Sequence, residues 1–204
     1  MTSRLGAART VGQWLVGCSL LALAAGAFSA FGIGQGYAFD PSEPVKNTCS
    51  IARNGDVAQV IGKVIKPADQ IGPQADASTP GETVTACSFE GASGALTINI
   101  QQFTSPDNAS GELTQTISNL QSTDQPGEKP VVSQETGLGQ TIYWVVSKVQ
   151  TNVDDPTSIV PKGTYIVLAN NRVVTVGTDW SDASPEDLKP ALFKLTKAVL
   201  DRVS

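Results

Sequence analysis

Between Trp14 and Ile33 the chain runs for 20 residues without a charge, and this run decides which part of the sequence must fold in water. Arg4 and Arg9 precede it and are the only charges before Asp40. A short basic stretch, then an apolar one, then small residues is the layout of an export signal. Gly36 and Ala38 are the small residues ahead of a cut before Phe39, while Ala25 and Ala27 offer an earlier cut before Phe28. The expectation is a signal peptide over residues 1–38 and a single exported domain over 39–204. Two other fates compete. At ~1.5 Å per residue the run just reaches across a ~30 Å hydrocarbon core, which would make it an uncleaved anchor. Leu15-Val16-Gly17-Cys18 also resembles a lipobox, whose cysteine would be acylated, but the apolar run continues well past Cys18. Membrane contact is expected only through this segment.

Export fixes the reading of the cysteines. Cys49 and Cys87 are the only two beyond Cys18, an even pair in an oxidising compartment, and the expectation is a disulfide between them. Closing a loop of that length stabilises a fold by ~4 kcal/mol in the chain-entropy model. There is no C-x-x-C, and no basic cluster nearby to depress a thiol pKa, so the pair reads as structural.

Removing residues 1–38 takes away Arg4 and Arg9 and no acid, so 12 of the 14 basic residues remain against 19 acids. An acidic domain is poorly suited to a phosphate backbone, and nucleic acid is set aside as a partner. The chain has no histidine. That excludes Ser-His-Asp and Cys-His catalysis and every His-ligated metal site.

The elements follow from periodicity and punctuation. Asn54 is placed as the cap of a short helix in which Val57, Val60 and Ile61 share a face and Gly62 ends the run. Lys66 to Gly81, with Pro67, Pro73 and Pro80, reads as a long loop. Strands are expected over Thr83–Phe89 and Ala95–Phe103, joined by Gly91-Ala92-Ser93-Gly94. The second alternates Leu96, Ile98 and Ile100 against Thr97, Asn99 and Gln101, the mark of a half-buried antiparallel strand. After Pro106, with Asp107, Asn108 and Ser110 as cap candidates, Leu113, Ile117 and Leu120 define a second helix ending near Ser122.

Thr123 to Gly137 reads as a second loop. Gln140 to Val149 is apolar in both alternating sets, which places it as a central strand covered on both faces. Gln150 to Lys162, with Asp154-Asp155-Pro156, is a third loop. Strands Gly163–Ala169 and Arg172–Thr178 meet across Asn170-Asn171, a pair suited to a primed turn. Leu188, Leu192, Leu195 and Val199 stripe a last helix running from Pro185 or Pro190 to Arg202. The fold class expected is α+β, an antiparallel sheet of about five strands with three helices packed on it and one disulfide.

Three features then stand together: Cys49-Ser50-Ile51 leading into Asp56–Gly62, Cys87-Ser88-Phe89 opening a strand, and Gly137-Leu138-Gly139-Gln140 ahead of Tyr143-Trp144. This pattern resembles small exported bacterial envelope proteins of unknown function, best known as actinobacterial lipoproteins, over most of residues 45–203. The resemblance implies an α+β sandwich somewhat like that of the photosystem extrinsic protein P, and a cysteine-to-cysteine bridge. It brings no activity with it.

A search for chemistry returns little. There is no G-x-S-x-G elbow, no Ser-x-x-Lys and no P-loop, and Gly32-Ile33-Gly34-Gln35-Gly36 lies in the export segment without a strand-to-helix context. Asp179, Asp182, Glu186 and Asp187 crowd the step into the last helix. Ser184-Pro185-Glu186-Asp187 reads first as an N-terminal cap, with calcium binding and acid catalysis behind it. Asp154-Asp155 reads as turn formation. Trp144, Trp180, Tyr143 and Tyr165 read as core before pocket. The expectation is a non-enzymatic, exported cell-envelope accessory protein that binds a protein or small ligand, with no catalytic residue, metal or cofactor. The alternative is a carboxylate-based or calcium-assisted hydrolase built on Asp179 to Asp187.

Overall fold

The computed structural model describes residues 45, 47–66, 68–75, 81–122, 129–138, 141–150 and 159–203. The export segment with its cut sites and Cys18, the lead-in to Pro44, and Asp154-Asp155 lie outside the described residues. The elements run α1 (Thr48–Ile51), α2 (Asn54–Ile61), β1 (Asp69–Ala75), β2 (Thr83–Gly91), β3 (Gly94–Gln102), α3 (Pro106–Ser122), β4 (Val131–Glu135), β5 (Ile142–Gln150), β6 (Ile159–Ala169), β7 (Arg172–Ser181) and α4 (Pro185–Val203). The seven strands form one antiparallel sheet in the order β1-β2-β3-β7-β6-β5-β4. The class is the expected α+β, but the sheet has seven strands rather than about five, and four helices rather than three. The two added strands are the edges β1 and β4, drawn from stretches read as loops. The added helix is the single turn α1.

Alternation along the strands sorts the core into two layers. Cys87, Phe89, Leu96, Ile98, Ile100, Trp144, Tyr165, Val167, Val174 and Val176 face α1, α2 and α4, meeting Ile51, Val57, Ile61, Leu192, Leu195 and Val199. On the opposite face, Val145, Ile166 and Val173 meet Ala109, Leu113 and Ile117 of α3, with Phe103 beside them. β5 is apolar on both sides as expected, with Ile142 and Trp144 in one layer and Val145 in the other. It is not central, however, because β4 alone separates it from the edge. Its two-sided character comes from lying between α3 and α4. The strand in the middle of the order is β7.

The caps of α2 and α3 lie ahead of the residues expected, while that of α4 is the one expected. Ser105 caps α3, its Oγ accepting from Asn108 N–H at 3.2 Å, and Pro106 takes the first helical position, where its missing N–H costs nothing. Asp107, Asn108 and Ser110 are therefore inside the helix. Asn54 likewise lies within α2, whose N-cap is Arg53 without a side-chain bond, whereas Asn47 caps α1 by accepting from Ser50 N–H at 3.0 Å. Ser184 caps α4 reciprocally: Oγ accepts from Asp187 N–H at 3.2 Å and donates to Asp187 Oδ2 at 2.8 Å. Pro190 sits inside α4 at an exposed position and leaves the carbonyl of the exposed Glu186 without its helical donor.

The Cys49–Cys87 disulfide is present, with a Cα separation of 5.1 Å, and pins α1 to β2. The buried Arg172 donates to Gln102 Oε1 at 3.2 Å and to the Val203 carbonyl, holding the last turn of α4 against β7. Arg202 reaches back to the Ile51 carbonyl and to Asp56, each at 2.8 Å.

Gly111 lies exposed inside α3 with open space where a side chain would go. Nothing in the packing requires it. Gly111→Ala is expected to stabilise the protein by about 0.5–1 kcal/mol, read as a rise in the urea midpoint at unchanged m. A fall in the midpoint would show that α3 is not a regular helix at that turn.

Candidate functional site

α3 covers only half of its sheet face. It packs on β7, β6 and β4, and among the described residues no helix lies over β1, β2 and β3 on that side. The open half is lined by the polar alternation set already visible in β3, extended across its neighbours by register. Ser88 pairs with Thr97, Thr97 with Gly177, and Gly177 with Thr164, so one row runs across β2, β3, β7 and β6. The adjacent row places Asn99 beside Thr175.

Gly177 forms the floor of the first row. A Cβ there would stand 2.4 Å from Thr164 Oγ1 and 3.0 Å from its Cγ2, so Thr164 occupies the space a side chain at 177 would need. A bulge then breaks the β3–β7 register between Ala95 and Leu96. Leu96 still pairs with Thr178, but Ala95 pairs with Trp180, which leaves Asp179 as the extra residue. Two consecutive side chains, Asp179 and Trp180, are thereby brought to the end of the open half.

Asp179 is engaged from two directions. Thr97 Oγ1 donates to Oδ2 at 2.7 Å, and Lys162 Nζ lies 3.6 Å from Oδ1. Ser88 Oγ and Thr97 Oγ1 are 3.2 Å apart, extending the chain of hydroxyls. The carboxylate remains 44% exposed and the ammonium 24%, so the pair is held in place but open to solvent. Asn99 hides its Oδ1 without a hydrogen-bond partner among the described residues. Leaving a buried carbonyl unpaired costs about 1–3 kcal/mol.

The four acids read together from the sequence are not brought together. Asp187 is consumed in the α4 cap, while Asp182 and Glu186 are exposed, with the Asp182 N–H bonded to the Ser93 carbonyl at 3.1 Å. Asp179 looks instead to Thr97 and Lys162. Among the described residues no group of three or more His, Cys, Asp or Glu is placed to hold a metal ion.

The aromatics also divide. Trp144 and Tyr165 are core, with ring centroids 4.7 Å apart and Phe193 set edge-on to Tyr165 at 5.7 Å. Tyr143 is half-buried beneath α3. Trp180 is 37% exposed, the one aromatic among the exposed large hydrophobic residues described.

A second polar group, missed by sequence reasoning, sits at the β4 edge. Glu135 accepts from Tyr165 Oη at 3.3 Å and pairs with Lys189, whose ammonium lies 5.6 Å from the centroid of the Trp144 ring. Burial first, and the Glu135 carboxylate second, push the Tyr165 hydroxyl far above the ordinary tyrosine range. It therefore stays a proton donor at neutral pH. This network ties the edge strand and the start of α4 to the aromatic core. No protein-family model and no curated protein matches the chain.

Proposed function

We propose that this chain is a non-enzymatic, exported accessory domain of the cell envelope that binds a protein or small ligand on the open half of its sheet. The observation that carries the reading is the uncovered row of Ser88, Thr97 and Thr164 ending at the Asp179–Lys162 pair. An antiparallel sheet commonly leaves one face to solvent, and here that face, across the four interior strands β2, β3, β7 and β6, carries hydroxyls and a held ion pair. The disulfide fits an oxidising compartment. Among the described residues no helix is long and apolar enough to cross a membrane.

The test is turnover. Purified protein incubated with a panel of ester, glycoside and phosphate substrates, with and without calcium, is expected to show no hydrolysis above that of an Asp179→Ala variant. Reproducible hydrolysis that disappears with Asp179→Ala would favour the carboxylate enzyme and overturn this reading.

A further inference from the structure

We infer that the open half of the sheet is a binding site for a neutral oligosaccharide, with Trp180 as its stacking platform and Asp179 as its hydroxyl acceptor. The inference rests on the binding reading above and narrows it to one chemistry. β2, β3, β7 and β6 are all paired on both sides, so their backbone groups are committed to the sheet and only side chains are on offer. A peptide that adds a strand needs a free edge, and this is a face.

Along the row from Ser88 to Thr164 and at its bulge end the side chains are three hydroxyls, the Asp179 carboxylate, the Lys162 ammonium and the Trp180 indole, with Asn99 and Thr175 in the next row. Charge on the face is matched locally: Asp179 is paired with Lys162, and the neighbouring Glu90 with Lys66 at 2.5 Å. A polyanion would meet the carboxylates and a polycation the ammoniums, whereas a neutral partner meets neither penalty. A protein partner of ordinary size needs an apolar centre of several large side chains. Trp180 is the one large apolar side chain at the bulge end, beside the small Ala95, and the exposed Ile71 lies apart from it on the edge strand β1, next to Ala86.

Sugars fit what remains. Their hydroxyls both donate and accept, matching Ser88, Thr97 and Thr164, and the solvent-exposed Asp179 oxygens accept from neighbouring hydroxyls. Their C–H faces stack on indole, and the exposed Trp180 stands in the row next to Thr97. Strands lie ~4.8 Å apart, so the row from Ser88 to Thr164 spans ~14 Å, the reach of an oligosaccharide rather than of one ring.

The experiment uses the full chain on an array of neutral and acidic glycans, followed by 15N NMR titration with the best-retained neutral glycan and mass analysis of the recovered glycan. Saturable binding is expected that shifts the Trp180 indole and the Thr97 amide but not the Trp144 indole. Trp180→Ala should weaken binding about tenfold or more, Trp180→Phe less, and Asp179→Asn several-fold, with thermal midpoints kept. If no neutral glycan is retained above the Trp180→Ala background, or if retention is confined to acidic glycans, the inference is wrong. Should a cross-linker placed at Thr97 then trap a single envelope protein, lost in Trp180→Ala, the broader binding function stands with a protein ligand instead. A glycan recovered cleaved would keep the site and sink the non-enzymatic reading.

Discussion

Replacing both Cys49 and Cys87 with alanine is expected to lower the unfolding free energy by about 4 kcal/mol, measured by urea denaturation of the double variant against the oxidised protein. The bridge spans a sequence separation of 38 residues, and that loop runs from α1 through α2 and β1 to β2. α1 is a single turn and cannot persist without tertiary support. β1 is an edge strand with an irregular register between Ile71 and Gln74.

What holds this corner besides the covalent bond is a small polar network. Cys49 N–H donates to Gln70 Oε1 at 2.9 Å, Gln70 Nε2 donates to Thr85 Oγ1 at 2.8 Å, and Thr85 Oγ1 stands 2.9 Å from the buried Thr48 Oγ1. Such bonds contribute about 1 kcal/mol each at best, and they form only when α1 is already in place. The expected signature is therefore a lower urea midpoint together with early exchange of the α1 and β1 amides. A loss below about 1 kcal/mol would mean that the unfolded chain is already compact across this loop, leaving the bridge little entropy to remove.

The parts of the fold legible in the sequence are those where burial on both sides imposes a pattern. β3, β5, β6 and β7 carry alternation or continuous apolar runs because each is paired on both sides and at least one face is covered. The missed strands are both edges. In β1, Asp69-Gln70-Ile71-Gly72-Pro73-Gln74-Ala75 has no apolar period, and it is a strand because β2 pairs with it rather than because its residues favour one. In β4, Val131 is 65% exposed and the five residues follow no clean alternation. Proline and glycine beside or within each stretch gave a loop reading that local chemistry alone cannot correct.

The candidate site was half legible. Thr97, Asn99 and Gln101 stood out as the polar set of β3, but which strand lay beside them could not be read from spacing. Asp179 looked like one acid of a helix-start cluster because it is near the cap in sequence. The bulge at Ala95, invisible before pairing is known, turns it to the open face together with Trp180.

Gly91→Ala is expected to destabilise the protein by about 3 kcal/mol, although it adds a single methyl group at a strand end. A Cβ at this position would lie 2.2 Å from the Ile61 carbonyl oxygen and 2.8 Å from Ile61 Cγ1, and a backbone oxygen cannot swing away as a side chain can. The contact exists because the end of α2 is laid directly on the β2–β3 turn. Gly62 leaves the helix at φ 71°, a region that favours glycine, and three backbone bonds follow. Ser93 N–H donates to the Ile61 carbonyl, Ala92 N–H to the Lys63 carbonyl and Ile65 N–H to the Glu90 carbonyl, each at 3.0 Å. Moving Ile61 far enough to admit a methyl group loosens all three and opens the layer around Phe89 and Leu96. Gly55→Ala, in the same helix with open space around it, is the control and should leave the urea midpoint unchanged or slightly raised. The same turn carries Ala95, which sets the bulge that presents Asp179 and Trp180. Gly91→Ala should therefore also shift the Trp180 indole resonance, whereas Gly55→Ala should not. A Gly91→Ala protein with an unchanged midpoint would mean that α2 is not seated on the turn, and that the bulge keeps its geometry without it.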